Sequence, residues 1–135
     1  MIQRPQTLVL AVTVLLNTFA PFSAIADRLY TDPHGWWAYA FLSAVLLSLG
    51  SAAYSIRLFK DRPLQARWIL RALLFQSIAA GLSVAIVTSI GPLTRSVLPE
   101  LIACGLILLT VVLLWLARVQ VLNDEALVKS IDRIR

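Results

Sequence analysis

The chain has 135 residues, 59% of them apolar and only 14% charged, with a formal net charge of +5 and a mean hydropathy of +0.82. A water-soluble domain carries about 25% charged residues, and a sphere this small cannot hide so much apolar surface from water. These numbers exclude a soluble globular enzyme, a disordered chain and a secreted disulfide scaffold, and leave an integral membrane protein of one domain, residues 1–135.

Four apolar stretches follow in chain order, at residues 7–26, 36–56, 68–90 and 101–119. Each is close to the ~20 residues that cross a hydrocarbon core of roughly 30 Å as a helix. None contains Asp or Glu. Lipid offers no partner for an open strand edge, and no alternating segments of about ten residues mark a barrel, so the spans are predicted to be helices. In the first span Pro21 cannot donate to the carbonyl of Asn17, which predicts a kink over residues 17–21. Met1 to Ala26 also resembles a secretory signal peptide, with Arg4, an apolar run from Leu8 and an Ala24-x-Ala26 end. The expectation is a true first helix.

Asp32-Pro33 is predicted to open the second helix, Asp32 as cap and Pro33 in the first turn. Asp61 and Pro63 do the same for the third. Gly91-Pro92 ends it, and Pro99-Glu100 opens the fourth, with Glu100 near the positive end of the helix dipole. The connections are short, so consecutive helices should be antiparallel neighbours in an all-α, up-down-up-down four-helix transmembrane bundle. Beyond Arg118 the tail at 120–135 reads as a short amphipathic helix. Asn123 would cap it, and Leu127, Val128, Ile131 and Ile134 would form an apolar stripe for the membrane surface or a partner groove.

Ten of the twelve Lys and Arg residues fall on one side of this topology. Arg4 precedes the first helix, Arg57, Lys60, Arg62, Arg67 and Arg71 surround the middle loop, and Arg118, Lys129, Arg133 and Arg135 follow the fourth helix. With four acidic residues that side holds +6, and the other, with Arg28 and Arg95 against Asp27, Asp32 and Glu100, holds −1. The positive-inside rule then places both termini and the middle loop in the cytoplasm, for a multi-pass protein of the bacterial inner membrane. The basic surplus is a topogenic and lipid-headgroup signal. It lacks the interleaved aromatics of a nucleic-acid surface, so no nucleic-acid partner is expected.

Several residues stand out within the spans. Ala40, Ala44, Ser48 and Ala52 recur every fourth residue on helix two, as do Ser77, Gly81, Ala85 and Ser89 on helix three. Such faces let helix backbones approach closely, and the two are expected to pack on each other, with docking of a foreign helix as the alternative. Asn17, Ser48, Gln76 and Thr110 lie near the bilayer midplane, one per helix. Interhelical hydrogen bonding is the expected role of this layer, and a polar pathway for a small solute is the alternative.

His34-Gly35-Trp36-Trp37, with Tyr30 and Tyr39, is expected to form an aromatic belt at the outer interface. One histidine in the chain cannot supply a bis-histidine haem within a protomer or a zinc site, so neither a metal nor a cofactor is expected. Arg71, a turn inside helix three, is expected to snorkel to the surface. Cys104, the one cysteine, is expected to act as a small hydrophobe.

Three segments resemble a known family: Met1-Ile2-Gln3-Arg4-x-Gln6-Thr7, then Leu58-Phe59-Lys60-Asp61-Arg62-x-Leu64-Gln65, and finally Asn123-Asp124-Glu125-x-Leu127-Val128-Lys129-Ser130-x-Asp132-Arg133-Ile134-Arg135. The chain resembles an uncharacterised family of small four-helix membrane proteins from Bacteroidota, domain of unknown function 4293. Pro5 and Val9 depart from that pattern, where an aliphatic and an aromatic residue are common. The resemblance implies a fold, an orientation and a lineage but no reaction. All three segments fall on the cytoplasmic side of the topology read from charge, so the shared feature is expected to be a cytoplasmic-face surface.

The spans carry no acidic residue, and the chain shows no metal-ligand cluster and no phosphate-binding glycine loop. The leading expectation is therefore a non-catalytic accessory, scaffold or assembly subunit of a larger inner-membrane complex. Its contacts would be membrane lipids and other membrane-protein subunits, made through Arg4, Lys60, Arg62, Arg67, Lys129, Arg133 and Arg135. The alternative is a small oligomeric transporter or channel using Asn17, Gln76 and Thr110. A membrane enzyme acting on lipid or quinone would rest on His34 and the tryptophans alone.

Overall fold

The computed structural model describes residues 5–31, 35–89 and 98–132, apart from the side chains of Arg28, Leu29 and Asp132. The expectations for Arg4, His34, Gly91, Pro92, Arg95, Arg133, Ile134 and Arg135 lie outside the described residues, as do Asp32 and Pro33 themselves. The helix these two were expected to open starts instead at Trp36, with Gly35 at its N-cap. The elements are α1 (Pro5–Phe19), a 3₁₀ turn (Ala20–Phe22), α2 (Ala24–Tyr30), α3 (Trp36–Arg57), α4 (Arg62–Ser89) and α5 (Leu98–Asp132). Among the described residues, four helical segments are long and apolar enough to cross a membrane: Pro5–Asp27, Trp36–Arg57, Arg62–Ser89 and Leu98–Ile131.

Local chemistry explains the punctuation. Pro5 opens α1, a position where its missing N–H costs nothing. Because Pro21 cannot serve the carbonyl of Asn17, α1 stops at Phe19 and tightens into the 3₁₀ turn. Ser23 closes that turn, its hydroxyl donating to the Ala20 carbonyl at 2.7 Å, and its own carbonyl starts α2 by accepting from Asp27 N–H at 3.1 Å. The kink expected at residues 17–21 is thus a full break and restart. Asp61 caps α4 as expected, with its carboxylate accepting from Leu64 N–H at 3.2 Å and its carbonyl from Gln65 N–H at 2.9 Å.

Two boundaries differ from the sequence reading. Helix three begins at Arg62, six residues before 68, because Asp61 and Pro63 start it at once. The tail is no separate helix either: α5 runs unbroken through Asn123 to Asp132. No glycine or proline interrupts residues 100–132 apart from Gly105, and an internal asparagine costs only about 0.7 kcal/mol of helix propensity. Lys129 also bridges to Glu125 at 2.7 Å along the same face, an i, i+4 pair of about 0.3–0.5 kcal/mol. At 1.5 Å per residue the 35-residue helix is about 52 Å long, well beyond a hydrocarbon core of roughly 30 Å.

The helices form a closed ring in which α1 packs on α3, α3 on α4, α4 on α5 and α5 on α1. Two apolar clusters fix their directions. One gathers Ala20, Phe41, Ala44, Ile86 and Cys104, and the other Leu10, Ala52, Ile69, Leu114 and Val121. Consecutive long helices pass between them in opposite senses, so the bundle is antiparallel. The second cluster lies at the end that carries the basic residues around the α3–α4 turn, termed here the basic end.

Inward positions follow a heptad rhythm. Among the buried residues it runs through Gln6, Leu10, Thr13 and Asn17 on α1 to Ala20 in the turn that follows, and through Ala38, Phe41, Val45, Ser48, Ala52 and Ser55 on α3. On α4 it continues through Gln65, Ile69, Ala72, Gln76, Ala79, Ser83 and Ile86, and on α5 through Ala103, Ile107, Thr110, Leu114, Ala117 and Val121, with Ala44, Ser51, Ala66, Ala80 and Cys104 buried beside the seam. Alternating steps of three and four residues give the crossing of about +20° typical of left-handed bundles. The seam is small and polar, whereas Leu15, Leu46, Leu74, Ile78 and Leu108 face outward. Apolar side chains outside and hydroxyls and amides inside are the inverse of a soluble bundle, and fit a lipid surround.

Candidate functional site

Two places in the bundle bring the singled-out residues together. The first is the mid-bundle layer. Asn17, Ser48, Gln76 and Thr110 are all buried. Asn17 Nδ2 donates to Ser48 Oγ at 3.5 Å, and Ser48 Oγ–H donates to the Ala72 carbonyl at 3.1 Å. Across the layer Gln76 Nε2 donates to Thr110 Oγ1, whose hydrogen goes to the Ile107 carbonyl at 2.6 Å. The layer therefore ties α1 to α3, α3 to α4 and α4 to α5. Asn17 Oδ1 and Gln76 Oε1 are buried without a hydrogen-bond partner among the described residues.

Replacing Thr110 with valine strands the Gln76 amide. The expected loss is on the order of 1 kcal/mol, and the double change Gln76→Leu with Thr110→Val is expected to regain most of it. A double-mutant cycle of detergent unfolding curves measures both.

The small-residue faces divide. Ala44, Ser48 and Ala52 are buried and Ala40 half-buried, so the α3 face packs inward as expected. The α4 face does not meet it. Ser77, Gly81 and Ser89 are exposed and Ala85 is half-buried, while Ala72 supplies the carbonyl that contacts α3. Burial of Gln76 explains the correction: its amide finds its partner, Thr110, on α5 inside the bundle, and turning it inward rotates the 77/81/85/89 row outward. A Cβ built at Gly81 meets nothing within 4 Å.

The second place is at the basic end. Arg62 Nη1 donates to the Asp124 carbonyl at 3.0 Å, joining the α3–α4 turn to the last turns of α5 across 62 residues of sequence. A groove of about 690 Å³ lies alongside, and Lys60, Arg62 and Lys129 line it with Asp61, Glu125, Phe59 and Val128. Lys60 Nζ sits 5.8 Å over the Phe59 ring. Three of the predicted contact cations thus converge on one groove. Arg67 is exposed on α4 and is not among its lining residues. Beyond Val121, the last fully buried residue of α5, Leu127, Val128 and Ile131 stand exposed.

Arg71 is exposed on α4 and rests on an aromatic ring. Its guanidinium carbon lies 4.5 Å over the Trp68 ring, which itself meets Tyr54 edge-on at 4.7 Å, so an aromatic pair on α3 and α4 holds the cation at the bundle surface. At the other end Trp36 and Trp37 touch at 5.2 Å, with Trp36, Tyr30 and Tyr39 exposed as a belt would require. Cys104 is buried, its Sγ 3.5 Å from Ser83 Oγ. Among the described residues no group of three His, Cys, Asp or Glu lies close enough to hold a metal ion.

Among the described residues, six buried polar ones lie outside the layer expected from the sequence: Gln6, Thr13, Ser51, Ser55, Gln65 and Ser83. Gln6 and Gln65 occupy inward seam positions at the basic end, and Gln6 Nε2 and Oε1 and Gln65 Oε1 lack partners among the described residues. Their spacing of four from Leu10 and from Ile69 is the signal that marks them.

No curated protein and no solved structure matches the chain. A family model does, over residues 2–134, and its description is a domain of unknown function. With nearly every residue of the bundle inside that match, the chain belongs to the DUF4293 family of proteins.

Proposed function

We propose that the chain is a non-catalytic accessory, scaffold or assembly subunit of a larger bacterial inner-membrane complex, with its basic end and both termini in the cytoplasm. The observation that carries this reading is the groove at the basic end. There α5 outruns its own bundle and, pinned by Arg62, holds Val128 and Lys129 beside Phe59 and Lys60. Exposed aliphatic side chains interleaved with cations, on a helix projecting past the lipid, suit a protein partner better than water. The outward Ser77–Gly81 row of α4 adds a second surface, on which a partner's helix backbone could approach closely inside the membrane. The orientation rests on the positive-inside distribution of charge, and the bacteroidotal lineage on the resemblance of the three segments.

Affinity purification from native membranes in mild detergent tests the reading. One stoichiometric partner set is expected, and Arg62→Ala is expected to deplete it while the purified bundle keeps its helicity. Recovery solely as a monomer or homo-oligomer contradicts it.

A second reading, a small oligomeric transporter or channel, is favoured by one observation: the unpartnered amide oxygens of Asn17 and Gln76 in the mid-bundle layer. It has against it the lack of any ionisable residue in that layer to couple transport to protons. Leucine at both positions separates the two readings, since unaltered solute flux with an intact fold contradicts transport.

A further inference from the structure

Neither α3 nor α4 contains an Asp or Glu, yet α4 carries three arginines. Arg62 is tied to the Asp124 carbonyl. Arg67 and Arg71, one turn apart on one face, are exposed and have no ion pair among the described residues. Depth separates the two. Arg71 lies about 7.5 Å of rise from Gln76, at the middle of the 28-residue helix. With the mid-bundle layer at the bilayer centre, its Cα falls inside a hydrocarbon half-thickness of roughly 15 Å. A cation anchored that deep without an anion is costly.

The side chain of Arg71 reaches back toward the basic end, where its guanidinium carbon lies 4.5 Å over the Trp68 ring. Tyr54 of α3 meets that ring edge-on in turn. Tryptophan and tyrosine favour the headgroup boundary, so the stack holds the cation where phosphates begin. Stacking occupies one face of the guanidinium and leaves its N–H edge free to donate. Arg71 also heads a groove of about 560 Å³, walled by Leu74, Phe75, Ser77 and Ile78. The Ser77 hydroxyl is spent on the Leu73 carbonyl at 2.8 Å, so the walls below Arg71 act as apolar ones. From Arg71 to Ile78 the helix rises about 10 Å into the hydrocarbon. A cationic head at the boundary above an apolar groove matches one membrane component, a phospholipid bearing negative charge.

We propose that Arg71, with Arg67 beside it, binds the phosphate of one anionic phospholipid, whose acyl chain lies in the groove along Leu74 and Ile78. The site is independent of partner docking at the basic end. The test titrates the full chain in detergent with phosphatidylglycerol and with phosphatidylcholine of the same acyl chains, and counts adducts by native mass spectrometry. One phosphatidylglycerol is expected to bind saturably per chain, and phosphatidylcholine roughly tenfold more weakly. Arg71→Gln is expected to weaken phosphatidylglycerol binding roughly tenfold. Arg71→Lys keeps the net charge but loses the planar stack, and is expected to weaken it about threefold or more. Ile78→Trp fills the groove and should weaken both lipids. Glycerol phosphate, the headgroup without its chains, should not displace the lipid. Arg71 and Ile78 are both exposed, so these variants keep the packed seam intact. Any of four results overturns the proposal: no saturable site, equal binding of the two lipids, displacement by glycerol phosphate, or undiminished binding by Arg71→Lys, which would make net charge alone the cause.

Discussion

Leucine in place of Ala72 is expected to destabilise the bundle by on the order of 1–3 kcal/mol, whereas leucine in place of Gly81 is expected to leave it at least as stable. Both positions lie on α4 and both are small, yet they face opposite surroundings. Ala72 is fully buried in the cluster with Ala52 and Ile69, and its carbonyl takes the Ser48 hydroxyl at 3.1 Å. Three added carbons there must push α3 away or adopt a strained rotamer, and the bond from Ser48 goes with them. At Gly81 a new side chain meets open space, and replacing an interior helical glycine gains up to about 1 kcal/mol of helix propensity. Reversible unfolding of the purified variants, followed by circular dichroism in one detergent, gives the comparison. Equal losses at the two positions would contradict the inward and outward assignment of the α4 faces. If the Ser77–Gly81 row docks a partner helix, Gly81→Leu keeps the fold and loses the partner.

Asn123→Pro is expected to break α5 just past the bundle at a cost of about 3 kcal/mol. Proline at 123 removes the N–H that would reach the Val119 carbonyl, and its ring crowds that carbonyl. The packed seam ends at Val121, so the bundle should survive while residues 124–132 swing away and Arg62 loses the Asp124 carbonyl. Spin labels at exposed Arg57 and Ser130 report this directly. The unaltered helix predicts one narrow distance distribution and the variant a broad one. An unchanged distribution would show that the extension is not held as part of a continuous α5.

The spans, their number and their antiparallel order were legible because apolar length and terminal chemistry are local. Asp61 caps where a cap was expected, and Pro21 breaks the first span because a missing N–H acts within four residues. Helix rotation was harder to read. Rows of small residues at i, i+4 mark Ala44, Ser48 and Ala52 correctly but mislead on Ser77, Gly81 and Ser89, since small side chains suit a lipid-facing surface as well as an interface. The better guide is the position of polar side chains inside the spans. Among these the amides are decisive. Gln65 and Gln76 fall on one heptad with Ile69, Ala72, Ala79 and Ile86, because an amide carries more donors and acceptors than its own helix can serve. The hydroxyl of exposed Ser77, by contrast, is satisfied by the Leu73 carbonyl of its own helix. The amides Gln6 and Asn17 mark the seam of α1 in the same way. The basic-end groove was legible only in part: charge placed Lys60, Arg62 and Lys129 on one side. Their convergence depends on α5 continuing as a straight helix past Asn123, a choice that weak local propensities do not fix.

The docking surface at the basic end depends on that continuity, so the most direct measurement addresses the groove itself in living cells. A photo-crosslinking amino acid at Val128, exposed on the groove wall, is compared with the same group at Leu108, exposed on the membrane-facing part of α5. The account predicts that Val128 yields a discrete adduct with one other protein, abolished by Asn123→Pro, while Leu108 yields lipid adducts. Adducts at Val128 with lipid alone, or with a second copy of this chain alone, would contradict a subunit that docks through its basic end.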